Sequence, residues 1–573
     1  MIPIILLILV LTIINLKWGI LIFIFTFPLI NNLPYFFGIY GHIPHAPTAL
    51  VLFLAFLLGW LVHNTFSHAN FNSNFSILKP IILLSLTILI SAIITFLRYS
   101  NYFPFLSDKI YELCVNVNGV RAGGALMSDI FSSLNYLTGF LFFYILFITI
   151  KSKEFIKKIL IVLSISTLIS LLFSLIQIYY SKSIGNMPFW VKLDRINSTF
   201  KDPNSFGVFL SVLFPILLGM VFYFRKQSKI IFLFLIAFAL LIFPSIGSRS
   251  GLLGLGASVI TFFLIIIIAY RTSTKKKVIY TTSFFLIVIS TIALFLFLPK
   301  QTNLHKRISQ NIYLVTNKKS LTRLFMGRSN FWAAAAYMIK NYPLTGVGIG
   351  AYIIEMPNYL KIIELPFQHT DSAENYFFQV GAELGLVVLF LFFWLFFEII
   401  KQMRNSLKKF STNNNEIFIL IGIISGIVSI FVNFFVHTYI GSYEIKYTFW
   451  LLVGLVFVYS KINGKLNVHN KLNSRFKLIA IILPLIFGAI HLWNSTHSLS
   501  INNRTEKFGW EQDFGLYKLE KDNKGFYFNW ARKSAGIAED NIGPCMIVPI
   551  MASHPDIREN PVIVKIYSAD RYF

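Results

Sequence analysis

Charge is what this sequence has least of. Its 573 residues include 24 Asp and Glu against 50 Lys and Arg, and charged residues make up only 13% of the chain. An ordinary soluble domain needs more charge than this to keep its surface in water, so that class is excluded. Cysteine is scarcer still. Cys114 and Cys545 are too few and too far apart for a zinc site or a disulfide framework, and leave room for one bridge at most. There is no H-x-x-x-H pair and no outward-facing pair of carboxylates, so no metal and no cofactor is expected. The first 30 residues have neither a basic n-region nor an A-x-A-like cleavage site, and are expected to remain as membrane helix.

What is present is hydrocarbon. The chain is 56% hydrophobic, with 61 Phe, and its mean hydropathy is +0.69. Apolar runs of the roughly 20 residues needed to cross a bilayer as helix recur along most of the length, which predicts an all-α polytopic membrane protein. A lipid-facing β-barrel would show short alternating segments instead. The formal charge of +26 resides mostly in loops between apolar runs, as the positive-inside bias requires, so it does not call for nucleic acid. Membrane lipid is the one partner that composition alone implies.

Residues 1–30 read as two short helices or one broken one, and helices are expected at about 48–66, 81–98, 130–150 and 159–181. Basic loops follow at Lys151–Lys158, Arg225–Lys229, Arg271–Lys277, Lys401–Lys409 and Lys461–Lys477, with room for two helices between neighbours. Short basic loops stay in the cytoplasm, so the loops near 182–206, 247–251, 299–383 and 437–442 and everything after about 496 face the other side. The count comes to about 13–14 transmembrane helices. Four regions result: N-terminal helices over 1–298, a long external loop over 299–383, C-terminal helices over 384–495, and a tail over 496–573. In the tail GFYFNW, CMIVPIM and PVIVKIY alternate between turn residues, which predicts a small β-rich domain.

Residue-specific chemistry concentrates in the external loops. Lys300 to Lys340 carries eight Lys and Arg and no acid, a surface suited to an anionic head group. Arg195 lies in DRINSTFKDPNSFG, and Arg249 in the tight SIGSRSG connection. From Arg328 the chain reads as a helix with an apolar stripe of Phe331, Trp332, Ala335, Met338 and Ile339, fit either to lie on the bilayer or to pack, and ended by Pro343. Gly346, Gly348 and Gly350 suit a phosphate-cradling turn. Asp371 and Glu374 have the spacing of a capping box. Asn375, Gln379 and Glu383 make one polar stripe on a helix, expected to face a cavity. A hydroxyl attacking a glycosyl carbon needs a base, and His369, Asp371 or Glu374 can each supply one.

These residues resemble the O-antigen ligase and polymerase superfamily of bacterial membrane glycosyltransferases. The resemblance is carried in order by R-x-N-S-T-F-x-D-P-N from Arg195 to Asn204, SRSG from Ser248 to Gly251, Arg328 and Trp332, PLTGVGIG from Pro343 to Gly350, and Asn375, Gln379, Glu383 and Gly385. It implies transfer of a glycan from undecaprenyl pyrophosphate to a hydroxyl of lipid A-core, a growing glycan or a protein, on the periplasmic side of the inner membrane. Arg195, Arg249 and Arg328 would hold the pyrophosphate, and no metal would be required. Many members carry a histidine where Glu374 stands here, so the base is either His369 or Glu374. A polysaccharide polymerase differs from a ligase only in acceptor. A flippase of lipid-linked sugars, the reading from another class, would need charges deep within several helices.

Overall fold

The computed structural model describes, in the main, residues 2–30, 48–67, 75–100, 122–224, 227–269, 328–363, 372–408, 415–439, 441–464 and 474–498, with strand residues 514–521 and 527–536. His369, Asp371, Cys114, Cys545, the basic segment 300–327 and the helix expected near 278–298 lie outside them.

In chain order the helices are α1 (Ile2–Ile14), α2 (Leu16–Thr26), α3 (Thr48–Ser67), α4 (Leu78–Ser100), α5 (Ala122–Thr149), α6 (Lys153–Tyr179), the short α7 (Pro188–Lys192), α8 (Pro203–Tyr223), α9 (Gln227–Ile246), α10 (Arg249–Ala269), α11 (Arg328–Asn341), α12 (Tyr352–Ile362), α13 (Tyr376–Lys408), α14 (Glu416–Asn433), α15 (Tyr443–Ile462) and α16 (Ser474–Trp493). Eleven of the described helices are long and apolar enough to cross a membrane. With 13 and 11 residues, α1 and α2 are too short for a core of roughly 30 Å, and they pack as a hairpin against α3. The protein is therefore a multi-pass membrane protein.

The predicted β-rich C-terminal domain is a correction. Among the described residues after 498 there is one antiparallel pair, Phe514–Lys521 with Tyr527–Gly536, and one pair of two-residue strands. Two strands have no second layer against which to bury a face, so among the described residues of the tail no β-rich domain is seen. The helix count is likewise 11 among the described residues rather than 13–14.

The core is built on α8, of whose apolar window 94% is buried, against 28% for the peripheral α16. Small residues let it approach its neighbours closely. A Cβ on Gly219 would meet Phe418 O at 2.4 Å, one on Gly422 would meet Pro215 O at 2.5 Å, and one on Gly251 would meet the Gly207 carbonyl carbon at 2.8 Å. In lipid, where no hydrophobic force draws helices together, such close backbone packing is what holds α8, α10 and α14 as a unit. At the basic end Lys153 and Lys157 pair with Glu416 at 2.9 and 3.4 Å, so α6 and α14 start side by side.

One feature of α13 positions everything that follows. It joins two helices across a break, where Gly385 has φ 74° and ψ 178° and Leu386 N donates to Pro343 O at 2.7 Å instead of back along the helix. Tyr376 and Phe392 have ring centroids 5.8 Å apart, and Phe377 and Phe393 5.6 Å. A straight helix would separate residues sixteen apart by about 24 Å. The chain therefore doubles back at Gly385, and residues 376–384 form a half-helix lying along the first turns of 386–408. Only glycine fits the break, because a Cβ there would also stand 2.3 Å from the Leu344 carbonyl carbon.

Candidate active site

The reversal at Gly385 brings the start of the half-helix down beside the end of α14, where Tyr376 N donates to Phe434 O at 2.8 Å. Asn375 caps the half-helix. Its Oδ1 accepts from Phe377 N and Phe378 N at 3.0 and 3.1 Å, and its Nδ2 donates to Phe435 O at 2.9 Å. The helix is thus capped four residues after Asp371, the cap expected from the sequence, which releases Glu374 from that role. Glu374 instead takes φ +51° and turns its carboxylate to Arg328, the first residue of α11, with Oε2 2.9 Å from Nη2. Arg328 Nη1 donates to Val436 O at 2.8 Å, tying α11 to the loop between α14 and α15.

That loop supplies a residue to which sequence reasoning gave no role. His437 Nε2 lies 3.7 Å from Glu374 Oε1, and its ring stacks on Tyr439 with centroids 4.4 Å apart. Tyr439 N donates to His437 Nδ1 at 3.3 Å, so the neutral ring carries its proton on Nε2, facing the carboxylate. Ser372 Oγ reaches Glu374 Oε1 at 3.5 Å and accepts from Thr438 Oγ1 at 3.0 Å. The one available signal was position, since the loop at 437–442 was already expected on the same side as the arginines.

Tyr439 carries the network on to the arginine motifs. Its hydroxyl donates to Asn433 Oδ1 at 3.2 Å and Ser250 Oγ at 3.5 Å. Burial pushes this phenol well above its ordinary 10.0, so it remains a neutral donor. Ser250 Oγ lies 3.2 Å from Ser248 Oγ, which accepts from Gly251 N at 3.1 Å and so caps α10. Arg249, half-buried, is therefore the first residue of a capped helix in this same network.

Arg195 lies in the loop before α8 and is committed to backbone and side-chain partners. It is 1% exposed, donates from Nε to Ile246 O at 2.9 Å and from Nη2 to Asn204 Oδ1 at 2.8 Å, and lies 4.9 Å from the Trp190 ring centroid. Asn204 Oδ1 also accepts from Ser248 Oγ at 3.3 Å. The rest of its motif is equally committed: Asn197 bonds Phe200 O, Ser198 bonds Ser170 O, and Asp202 caps α8. Arg195 thus braces the SRSG turn from behind.

The polar stripe divides. Gln379 Oε1 accepts from Ala373 N at 2.7 Å, fixing the loop that carries Glu374, and its Nε2 donates to Glu383 Oε1 at 2.8 Å. Glu383 stands nine residues from Glu374, about 13 Å along a helix, and belongs to the far end. It receives Tyr352 N at 3.4 Å and is 2% exposed. The glycine turn is there too, and it does not cradle an anion. Val347 N donates to Ala382 O at 2.9 Å and Gly348 N to Glu383 O at 2.8 Å, closing the last carbonyls of the half-helix, while Ile349 N donates to Ser91 Oγ at 3.2 Å. The stripe on α11 is packed: Phe331, Ala334, Ala335 and Met338 are buried, and Trp332 stacks on Phe378 at 6.2 Å.

Strain marks the same loops. Among the described residues the non-glycine positions with φ of +51° to +56° are Asp194, Ser198, Glu374 and Tyr439. Each costs on the order of 1 kcal/mol and persists only where surrounding bonds enforce it. Among the described residues no three of His, Cys, Asp and Glu gather as metal ligands would. No curated protein matches the chain. The family model described as O-antigen ligase matches residues 234–393, a stretch that includes the SRSG turn, α11, the glycine turn and the whole half-helix, and over that stretch the chain is similar to the O-antigen ligase family.

Proposed function

We propose that the protein transfers a glycan from undecaprenyl pyrophosphate to an acceptor hydroxyl, on the periplasmic face of the inner membrane. The observation that carries this reading is the cluster of Arg328, Glu374 and His437, joined through Tyr439 and Ser250 to the turn that bears Arg249. One cation, Arg328, is paired with the proton acceptor Glu374, and the network leads from them to the turn that bears Arg249, so one site holds both the positive charge and the base that displacement of an anionic leaving group by a hydroxyl requires.

The acceptor oxygen forms a bond to the anomeric carbon as the bond from that carbon to the phosphate oxygen breaks. The electron pair leaves with the lipid pyrophosphate. Arg249 and Arg328 hold that charge, with the N-terminus of α10 adding its dipole. The hydroxyl proton passes to Glu374, whose carboxylate His437 Nε2–H faces and helps to orient. Glu374 thus takes the role that the sequence left between it and His369. Asn375 and Gln379 position the loop carrying the base, and Arg195 positions the turn carrying Arg249.

The test incubates the purified protein with a defined undecaprenyl-pyrophosphate glycan and candidate acceptors. Release of undecaprenyl pyrophosphate with a glycosylated acceptor supports the reading, and the product names the acceptor: lipid A-core or protein for a ligase, glycan for a polymerase. Movement of the lipid across the bilayer with no covalent product would overturn it in favour of a flippase.

A further inference from the structure

The outer face of α6 reaches the end of its span without turning polar. Ile165, Ile169, Leu172, Ile176 and Tyr179 recur at i, i+4, i+7, i+11 and i+14 and are all exposed, so they form one stripe along a helix that is itself a membrane span. That stripe faces lipid. Past the last turn it is taken up by Tyr180 and by the short α7, where Met187, Pro188 and Phe189 are exposed in succession. Tyr179, Tyr180, Met187 and Phe189 keep between 50% and 84% of their surface open. In water, large apolar side chains gathered in one short segment are costly, so this face needs a cover.

The exposure belongs to a fixed shape. Gln177 Nε2 donates to Ile184 O at 2.8 Å, Asn186 Nδ2 to Arg195 O at 2.9 Å, Asn197 Nδ2 to Gly185 O at 3.2 Å and Arg195 N to Trp190 O at 3.0 Å. The segment is also pinned to the end of a neighbouring span, since Ile196 N donates to Ser245 O in the last turn of α9 at 3.3 Å. It is therefore held at the bilayer boundary. Lys182 pairs with Asp194, and Lys192 stands exposed in the last turn of α7. Aromatic rings beside lysines, at the level where spans end, are the composition of a chain lying in lipid head groups. Trp190, half-buried behind Phe189, has the Arg195 guanidinium 4.9 Å from its ring centroid. The segment is thus held by the same arginine that braces the SRSG turn.

We propose that residues 179–192 form a hook seated in a lipid surface, in the head-group layer on the side of the candidate active site, with Tyr180, Met187 and Phe189 reaching the first acyl carbons. A protein partner would be met by an apolar patch closed by a polar rim. Here the apolar residues begin where the lipid-facing stripe of α6 ends, which favours lipid as the cover. The hook does not depend on the transferase reading.

The experiment places a nitroxide at residue 189 through Phe189→Cys in the full chain carrying Cys114→Ser and Cys545→Ser, reconstituted in vesicles of phosphatidylcholine and phosphatidylglycerol. Power saturation compares collisions with oxygen, which concentrates in hydrocarbon, and with a nickel chelate, which stays in water. Leu172→Cys gives the hydrocarbon reference. The label at 189 is expected about 5–10 Å below the phosphate level, with nickel collisions at least about fivefold fewer than for free label. Thermal unfolding is followed for each variant, and Met187→Cys, expected at the same depth, decides if Phe189→Cys fails to fold. Nickel collisions as frequent as for free label overturn the hook. Shielding from both reagents overturns lipid as its cover, in favour of a second copy or another protein.

Discussion

A double-mutant cycle on Arg328 and Glu374 separates what their pair does for the fold from what it does for the reaction. At 2.9 Å the gross attraction at an effective dielectric of about 20 is on the order of 6 kcal/mol. The Glu374 side chain is 10% exposed and that of Arg328 27%, so desolvation, solvent screening and side-chain entropy remove most of this. A net coupling of about 1–3 kcal/mol is expected. Glu374→Ala alone should lower the unfolding temperature by a few degrees, since it also strands Arg328, which keeps only its bond to Val436 O among those described above. Arg328→Ala should cost a similar amount, and the double variant less than the sum. Transfer should behave otherwise. Glu374→Gln preserves shape and should lose about 10²–10⁴-fold in kcat, the usual worth of general base catalysis, and the double variant should recover stability without recovering rate. Coupling near zero would refute the ion pair, and a Glu374→Gln protein with kcat within twofold of wild type would refute the base.

Three further outcomes follow from single contacts. Gly385→Ala meets both a φ of 74° and the Leu344 backbone, and should cost more than about 2 kcal/mol, read as lost abundance in membranes. Arg195→Lys cannot reach both Ile246 O and Asn204 with one ammonium, so it should lower thermal stability and kcat together, whereas a purely donor-binding role would raise donor KM with stability unchanged. The Tyr439 phenol is raised in the fold above its ordinary 10.0, so its neutral form contributes stability that is fully present below about pH 10 and lost as the pH rises toward the folded value. Tyr439→Phe should therefore flatten the fall in unfolding temperature above pH 10, and an identical slope in both proteins would refute the burial argument.

The membrane class, most helices and the loops that carry the arginines were legible because each is written locally. About 20 apolar residues in a row have one outcome in a bilayer, and a charge in a short loop has one favourable side. What failed did so where a local pattern had a distant partner. The D-x-x-E spacing predicted a cap, but the turn at Glu374 is set by Arg328 and by the backbone of the loop after α14. Three glycines predicted an anion cradle, but their neighbourhood was already filled by the end of the half-helix. His437 drew no attention because nothing near it in the chain is unusual.

By itself the sequence determined that this is an α-helical membrane protein with Arg195, Arg249, Arg328 and the stretch around Glu374 set between its apolar runs, because hydropathy and charge act through the solvent each segment meets. Only the tertiary structure decided which of these residues meet. The reversal at Gly385 reduces a separation of about 24 Å to side-chain contact, sets Glu374 between Arg328 and His437, and sends Glu383 to the opposite end of the half-helix. Arg195 braces the turn that bears Arg249 for the same reason: burial against Ile246 and Asn204 is a property of the packed chain, and no stretch of sequence contains it.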